Sequence, residues 1–122
     1  MGNHVCDALV ISCIDFRFQK YIRKWLNKNF KDKTYDYVGF AGATKDLKTI
    51  LKQLDISVLL HKIKQVILMH HEDCGAYGKE SAPERHAKDL LKAKKTILKH
   101  YPHLQVDLYY IHLIKGKFEK VK

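Results

Sequence analysis

Short apolar runs alternate with helical periodicities along this chain, and that alternation limits the folds open to it. Val5 to Ile14 carries Val10, Ile11 and Cys13 with few polar interruptions, the pattern of a strand covered on both faces. Phe18, Ile22, Trp25, Leu26 and Phe30 then recur at amphipathic-helix spacing. Tyr35 to Phe40 reads as a short aromatic and β-branched strand that ends in a loop holding Gly39 and Gly42. Thr44 to Lys64 is helical through Leu47, Ile50, Leu51 and Leu54, with Asp55 placed to restart it as the cap of a second short helix. Gln65 to His70 is a third strand. Ser81-Ala82-Pro83-Glu84 reads as a capping box that opens a helix carrying Ala87, Leu90, Leu91, Ile97 and Leu98. Pro102 stops that helix, and Leu104 to Ile114 is the last strand.

The order β-α-β-α-β-α-β predicts an α/β fold: a mostly parallel sheet of about four to five strands, with right-handed crossovers and helices on both faces. With 122 residues and no repeat or linker, residues 1–122 are expected to form a single domain with one core. In such sheets ligands bind beyond the C-terminal strand ends, where the strand order reverses. Chemistry is therefore expected just after Ser12, Phe40 and His70.

Composition excludes several other classes. Apolar residues make up 46% and charged residues 30%, which is neither a disordered tail nor a membrane protein. The longest apolar runs, such as Val66 to Met69, fall far short of the ~20 residues that span a bilayer. Asp7 interrupts the N-terminal apolar stretch, so no signal peptide is expected, and a soluble cytoplasmic location follows. The formal net charge of +10 would suit a polyanion, but only Arg17, Arg23 and Arg85 among the basic residues are arginines. The lysines fall at helix-surface spacing (Lys20, Lys24, Lys28, Lys31; Lys88, Lys92, Lys95, Lys99), as solvated faces do. No nucleic-acid or membrane partner is expected.

Two of the three strand ends carry metal-type ligands. Cys13 closes the first strand, and His71 and Cys74 follow the third in a His-x-x-Cys pair. Two sulfurs and one imidazole suit tetrahedral Zn2+, and three protein ligands with an open fourth position are the catalytic arrangement. Each cysteine taken alone reads equally as packing, and Cys6 has no evident partner. The two thiols could also form a reversible disulfide. Cys13-Ile14-Asp15-Phe16-Arg17 tips the balance, because a carboxylate two residues past a metal thiolate reaches the fourth position. A guanidinium beside it keeps that carboxylate ionised and aimed. Taken separately, Asp15 would be a helix N-cap and Arg17 an exposed first-turn cation.

With these motifs the chain resembles the β-class carbonic anhydrases, whose signature pairs Cys-x-Asp-x-Arg with a later His-x-x-Cys-Gly, here Cys13 to Arg17 and His71 to Gly75. The likeness extends to Val38-Gly39-Phe40-Ala41-Gly42-Ala43 and to Leu108-Tyr109-Tyr110-Ile111 with Gly116. Departures from the family pattern are Gly39-Phe40 in place of Arg-Asn, and His70 in place of a Gly. The helical arm that wraps a partner subunit in the family has no counterpart before the first strand. The resemblance implies Zn2+ on Cys13, His71 and Cys74, and reversible hydration of CO2 to bicarbonate by zinc-bound hydroxide. Asp15 would orient that hydroxide and Arg17 would orient Asp15, or Asp15 would close the site by binding zinc itself. It also implies a homodimer or higher homo-oligomer, to which Tyr109 and Ile111 contribute unless they are core. Proton-shuttle candidates are His70, Asp73 and Tyr77. The alternatives are a CS2 or COS hydrolase of the same fold and a non-catalytic zinc or redox module.

Overall fold

The computed structural model describes residues 4–122. Five strands and three α-helices follow in the order β1 (Ala8–Ser12), α1 (Gln19–Asn29), β2 (Tyr35–Gly39), α2 (Leu47–His61), β3 (Gln65–His71), α3 (Pro83–His100), β4 (Gln105–Ile111) and β5 (Phe118–Val121). The sheet order is β2-β1-β3-β4-β5, parallel throughout except for β5, which runs antiparallel to β4.

Every residue of β1 is buried, and so is every residue of β3 after Gln65, which is why both read as apolar runs without alternation. One face packs Leu9, Ile11, Val66, Leu68 and Leu108 under α2 and α3 through Ile50, Leu54, Leu90 and Ile97. The other packs Ala8, Val10, Ile67, Met69 and Ile111 under α1 through Phe18, Ile22 and Leu26. Trp25 extends this second core outward, stacking on Phe118 at 5.1 Å and edge-on to Tyr109 at 4.8 Å. Ile111 is therefore core and Tyr109 an aromatic neighbour of Trp25 within the chain.

Besides shifts of one to three residues at the ends of β2, α2 and β3, four features differ from the sequence reading. β1 begins at Ala8 rather than Val5 and stops at Ser12, before Cys13. α2 is one continuous helix capped by Asp46, whose carboxylate accepts the Thr49 N–H, so Asp55 starts nothing and instead receives the Tyr101 hydroxyl. The capping box at Ser81 does not form: Ala82 is the N-cap with Pro83 in the first turn, and the Ser81 hydroxyl is engaged elsewhere. The run from Leu104 does not continue to Ile114. It ends at Ile111, turns through a short 3-10 segment at Ile114–Gly116 and returns as β5. Gly116 sits at a left-handed φ of 58° against the Tyr21 ring, where any Cβ would stand 2.2 Å from Tyr21 Cγ.

The strand order reverses between β1 and β3, because β2 lies outside β1 on one side while β3 and β4 continue on the other. The chain just past β1 and the end of β3 thus meet at one switch point.

Candidate metal centre

Cys13 follows β1 directly, His71 is the last residue of β3, and Cys74 lies three residues on in the tight loop after it. Their donor atoms all lie within 4.8 Å of one another, and all three residues are buried. The two sulfurs are 3.9 Å apart and form no disulfide. Zn–S bonds of ~2.3 Å at a tetrahedral angle place two sulfurs about 3.8 Å apart, so the observed spacing suits that ion.

The imidazole gives the more telling observation. His71 Nδ1–H donates to the Glu72 carbonyl at 2.8 Å, which leaves the lone pair on Nε2. That nitrogen is buried and has no hydrogen-bond partner. A buried unsatisfied polar atom costs about 1–3 kcal/mol, and a cation between His71 and the sulfurs would relieve it. The Phe18 ring, 4.3 Å from the imidazole, walls the site on the α1 side.

The sulfurs differ electrostatically. The Cys74 thiol donating to it pulls the Cys13 pKa down against burial, helped by the Gly42 N–H at 3.4 Å from the sulfur. Cys74 is pushed up by the Cys13 sulfur and by burial. The pair therefore shares one proton, which a metal cation would displace. Gly42 reaches Cys13 because its φ of 79° turns the N–H inward, and an added Cβ would press on Ala76 Cβ at 3.2 Å.

Asp15 and Arg17 come together as expected, but not as a helix cap, since α1 begins after Phe18. Arg17 Nη2 donates to Asp15 Oδ2 at 2.7 Å, Nε reaches both carboxylate oxygens at 3.1 and 3.2 Å, and the Arg17 amide donates to Oδ1 at 2.9 Å. These bonds, the guanidinium's above all, hold the Asp15 pKa below the ordinary carboxylate range although burial opposes them. Asp15 Oδ2 lies 3.9 Å from His71 Nε2, beside the space a cation would take. Arg17 also donates to Asp73, through Nη1 to the carboxylate at 3.1 Å and through Nη2 to the carbonyl at 2.8 Å. The guanidinium thus ties the loop after β1 to the loop after β3.

Sequence reasoning missed the Gly42 amide and the Glu72 carbonyl, which carry no residue-type signal, and it named Asp73 as a shuttle candidate rather than as the second partner of Arg17. Of the shuttle candidates, His70 points to the α2–α3 face, away from the cluster, bonded to Thr44 and His86. Burial and the neighbouring His86 pull its pKa down to about 3, and burial pulls His86 to about 4. Asp73 is exposed on Arg17, and Tyr77 donates to Asp89 at 2.5 Å.

Among the described residues a second trio, Cys6, Asp36 and His61, also brings its donor atoms within 4.8 Å. There the donors are already engaged: Asp36 Oδ2 accepts from Ser57 at 2.6 Å and His61 at 2.7 Å, and the Cys6 thiol donates to the Ala8 carbonyl. That trio ties β2 to α2, and nothing in it is left unsatisfied as His71 Nε2 is. A cavity of about 600 Å³ lined by Glu72, His112, Ile114 and Phe118 holds none of the Cys13, His71 and Cys74 donors, so cavity size does not locate the chemistry.

The family described as "Putative carbonic anhydrase" matches residues 3–122. An uncharacterized protein of Rickettsia bellii is 34% identical over 134 aligned positions, covering 94% of this chain and 81% of that one. An uncharacterized protein of Rickettsia conorii is 32% identical, covering 82% of this chain and 64% of its own length. Among solved structures, the carbonic anhydrase of Streptococcus mutans superposes with a TM-score of 0.71 at 14% identity, over 100% of this chain and 86% of that one. A tetrameric β-carbonic anhydrase of Sordaria macrospora gives 0.67 at 12% identity, over 97% and 81%. A carbon disulfide hydrolase in its apo form gives 0.65 at 12% identity, over 98% and 81%. At these identities the structural likeness speaks to the fold. No helix among the described residues is long and apolar enough to cross a membrane.

Proposed function

The chain belongs to this carbonic anhydrase family, and from that premise we propose that it is a cytoplasmic, single-domain, Zn2+-dependent carbonic anhydrase interconverting CO2 and bicarbonate. Cys13, His71 and Cys74 would hold the metal, Asp15 would act on the reacting water, and Arg17 would position Asp15. The observation that carries this reading is the buried, unpartnered lone pair of His71 Nε2 facing two sulfurs at a tetrahedral spacing.

Zn2+ bound there supplies Lewis acidity, which makes water a competent nucleophile near neutral pH. The chain's own residues do the rest. Glu72 fixes the His71 tautomer, and Gly42 stabilises negative charge on the Cys13 sulfur. Asp15, kept ionised by Arg17, presents a carboxylate oxygen that accepts a hydrogen bond from the attacking water and so aims its lone pair. Arg17 grips Asp15 and Asp73 at once, and by holding Asp15 it would leave a coordination place on the metal to water. Ile14 and Phe16, 60% and 85% exposed on either side of Asp15, form the apolar rim that a homodimer or larger homo-oligomer would cover.

A same-fold hydrolase acting on CS2 or COS is the second reading, favoured by the structural likeness to a carbon disulfide hydrolase. Metal analysis of protein purified under reducing conditions, paired with stopped-flow CO2 hydration from pH 6 to 9, separates the cases. One zinc per chain, lost in Cys74→Ser, together with CO2 turnover is the expected result. Rapid CS2 turnover with negligible CO2 hydration favours the second reading. Zinc without either activity leaves a non-catalytic metal module, and failure to take up zinc refutes the metal centre itself.

A further inference from the structure

Two imidazoles lie inside the fold where apolar side chains would ordinarily pack: His70 on β3 is 2% exposed and His86 on α3 is 0% exposed. Such groups are costly unless their nitrogens are paired, and here all four are. One backbone amide fixes the direction of the whole chain of bonds. The Thr44 N–H can only donate, and it points to His70 Nε2 at 3.3 Å, so that nitrogen carries a lone pair. The Thr44 hydroxyl donates to the same nitrogen at 2.7 Å. The hydrogen of neutral His70 therefore sits on Nδ1 and is donated to His86 Nδ1 at 2.8 Å. His86 in turn carries its hydrogen on Nε2 and donates to Ser81 Oγ at 2.9 Å. Ser81 Oγ also accepts the Cys74 amide hydrogen at 2.8 Å.

This wire begins two residues past Gly42, whose N–H touches the Cys13 sulfur, and ends on the backbone of Cys74. It joins the loop that contacts one thiol to the loop that carries the other. Tyr77 roofs it, its ring 4.3 Å from that of His86 and its hydroxyl held by Asp89. We propose that Thr44, His70, His86 and Ser81 form a positioning brace that sets the separation of the Cys13 and Cys74 sulfurs and so governs how tightly the metal is held. The metal half of this proposal rests on the zinc reading above. None of the four contributes a metal donor or touches substrate; they act through the two cysteine loops.

Ser81→Ala removes one hydroxyl from a partly exposed residue and leaves the Cys74 and His86 donors unpaired. Ser81→Thr keeps the hydroxyl, and Ile97→Val trims the core behind α3 as a control for general destabilisation. In the metal-free full chain, long-range 1H–15N NMR is expected to show His70 protonated on Nδ1 and His86 on Nε2, and the Cys74 amide to exchange faster in Ser81→Ala. In the zinc-loaded chain, release of zinc to excess chelator is expected to quicken about 10–100-fold in Ser81→Ala, to return to near the wild-type rate in Ser81→Thr and to be unchanged in Ile97→Val. The opposite tautomers, unchanged Cys74 exchange in Ser81→Ala, wild-type zinc release from that variant, or equal loosening by Ile97→Val would each overturn the brace. A wild-type chain that binds no zinc would refute the proposed function and with it the metal half of this proposal, while the tautomers and the Cys74 exchange would still decide whether the brace exists.

Discussion

Replacing Arg17 by Met keeps the aliphatic stem and deletes the fork that grips Asp15 and Asp73. Three guanidinium contacts reach the Asp15 carboxylate, the shortest at 2.7 Å. Hydrogen bonds to charged groups contribute about 1.5–3 kcal/mol net, but the Arg17 side chain is 35% exposed and screened by solvent. A discounted total of about 1–2 kcal/mol for the Asp15 half is reasonable. Without those bonds the Asp15 pKa is expected to rise back toward the ordinary carboxylate range. The sign of the pH dependence follows from the depressed native pKa. Ionised Asp15 stabilises the fold fully above the unfolded-state value of about 3.9, and this stabilisation is lost as pH falls through the lower native value. Urea unfolding of the metal-free chain and of Arg17→Met, from pH 7 to 3.5, is therefore expected to show a gap of about 1–2 kcal/mol near neutrality that narrows toward the acid end. In the zinc-loaded protein CO2 hydration should fall about 10–100-fold, because Asp15 is no longer held in place. A stability gap that stays constant across the pH range, or no gap at pH 7, would refute this account of Asp15.

Two further substitutions test separate parts of the structure. Asp15→Asn should retain one zinc per chain by metal analysis yet lose at least about 10-fold in CO2 hydration; wild-type rates would remove Asp15 from the mechanism. Gly116→Ala places a methyl group against the Tyr21 ring in a left-handed turn, and should lower unfolding free energy by about 1–3 kcal/mol in urea titrations; an unchanged midpoint would mean the turn relaxes freely.

The alternation of elements was legible because β1 and β3 bury both faces, which leaves unbroken apolar runs in the sequence. β5 was hidden because Leu113 and Ile114 prolong the apolar pattern of β4, although Ile114 is 78% exposed and belongs to the turn. Asp55 resembled a cap because an Asp in mid-helix has no local use; its partner, Tyr101, lies 46 residues away. Ser81 resembled a capping residue for a similar reason, since its hydroxyl serves a backbone amide seven residues earlier. The donors Cys13, His71 and Cys74 and the Asp15–Arg17 pair stood out because side-chain chemistry is written in residue identity. The Gly42 amide and the Glu72 carbonyl were invisible because any residue supplies a main-chain group. His86 was missed because its use depends on how α3 lies over β3, which no spacing encodes.

A strand that carries two histidines in succession offers a folding chain two ways to fill one place. Because side chains alternate across the sheet, sliding β3 by a single step against β1 would exchange His70 and His71. The pairing of Ile11 with Leu68 marks the register that avoids this, and the chemistry on either side agrees: one imidazole bonds a hydroxyl and a second ring, while the other lies beside two sulfurs with which it could share a cation. The neighbour that binds nothing from solvent thus acts as a key, admitting only the alignment in which its twin meets the thiols.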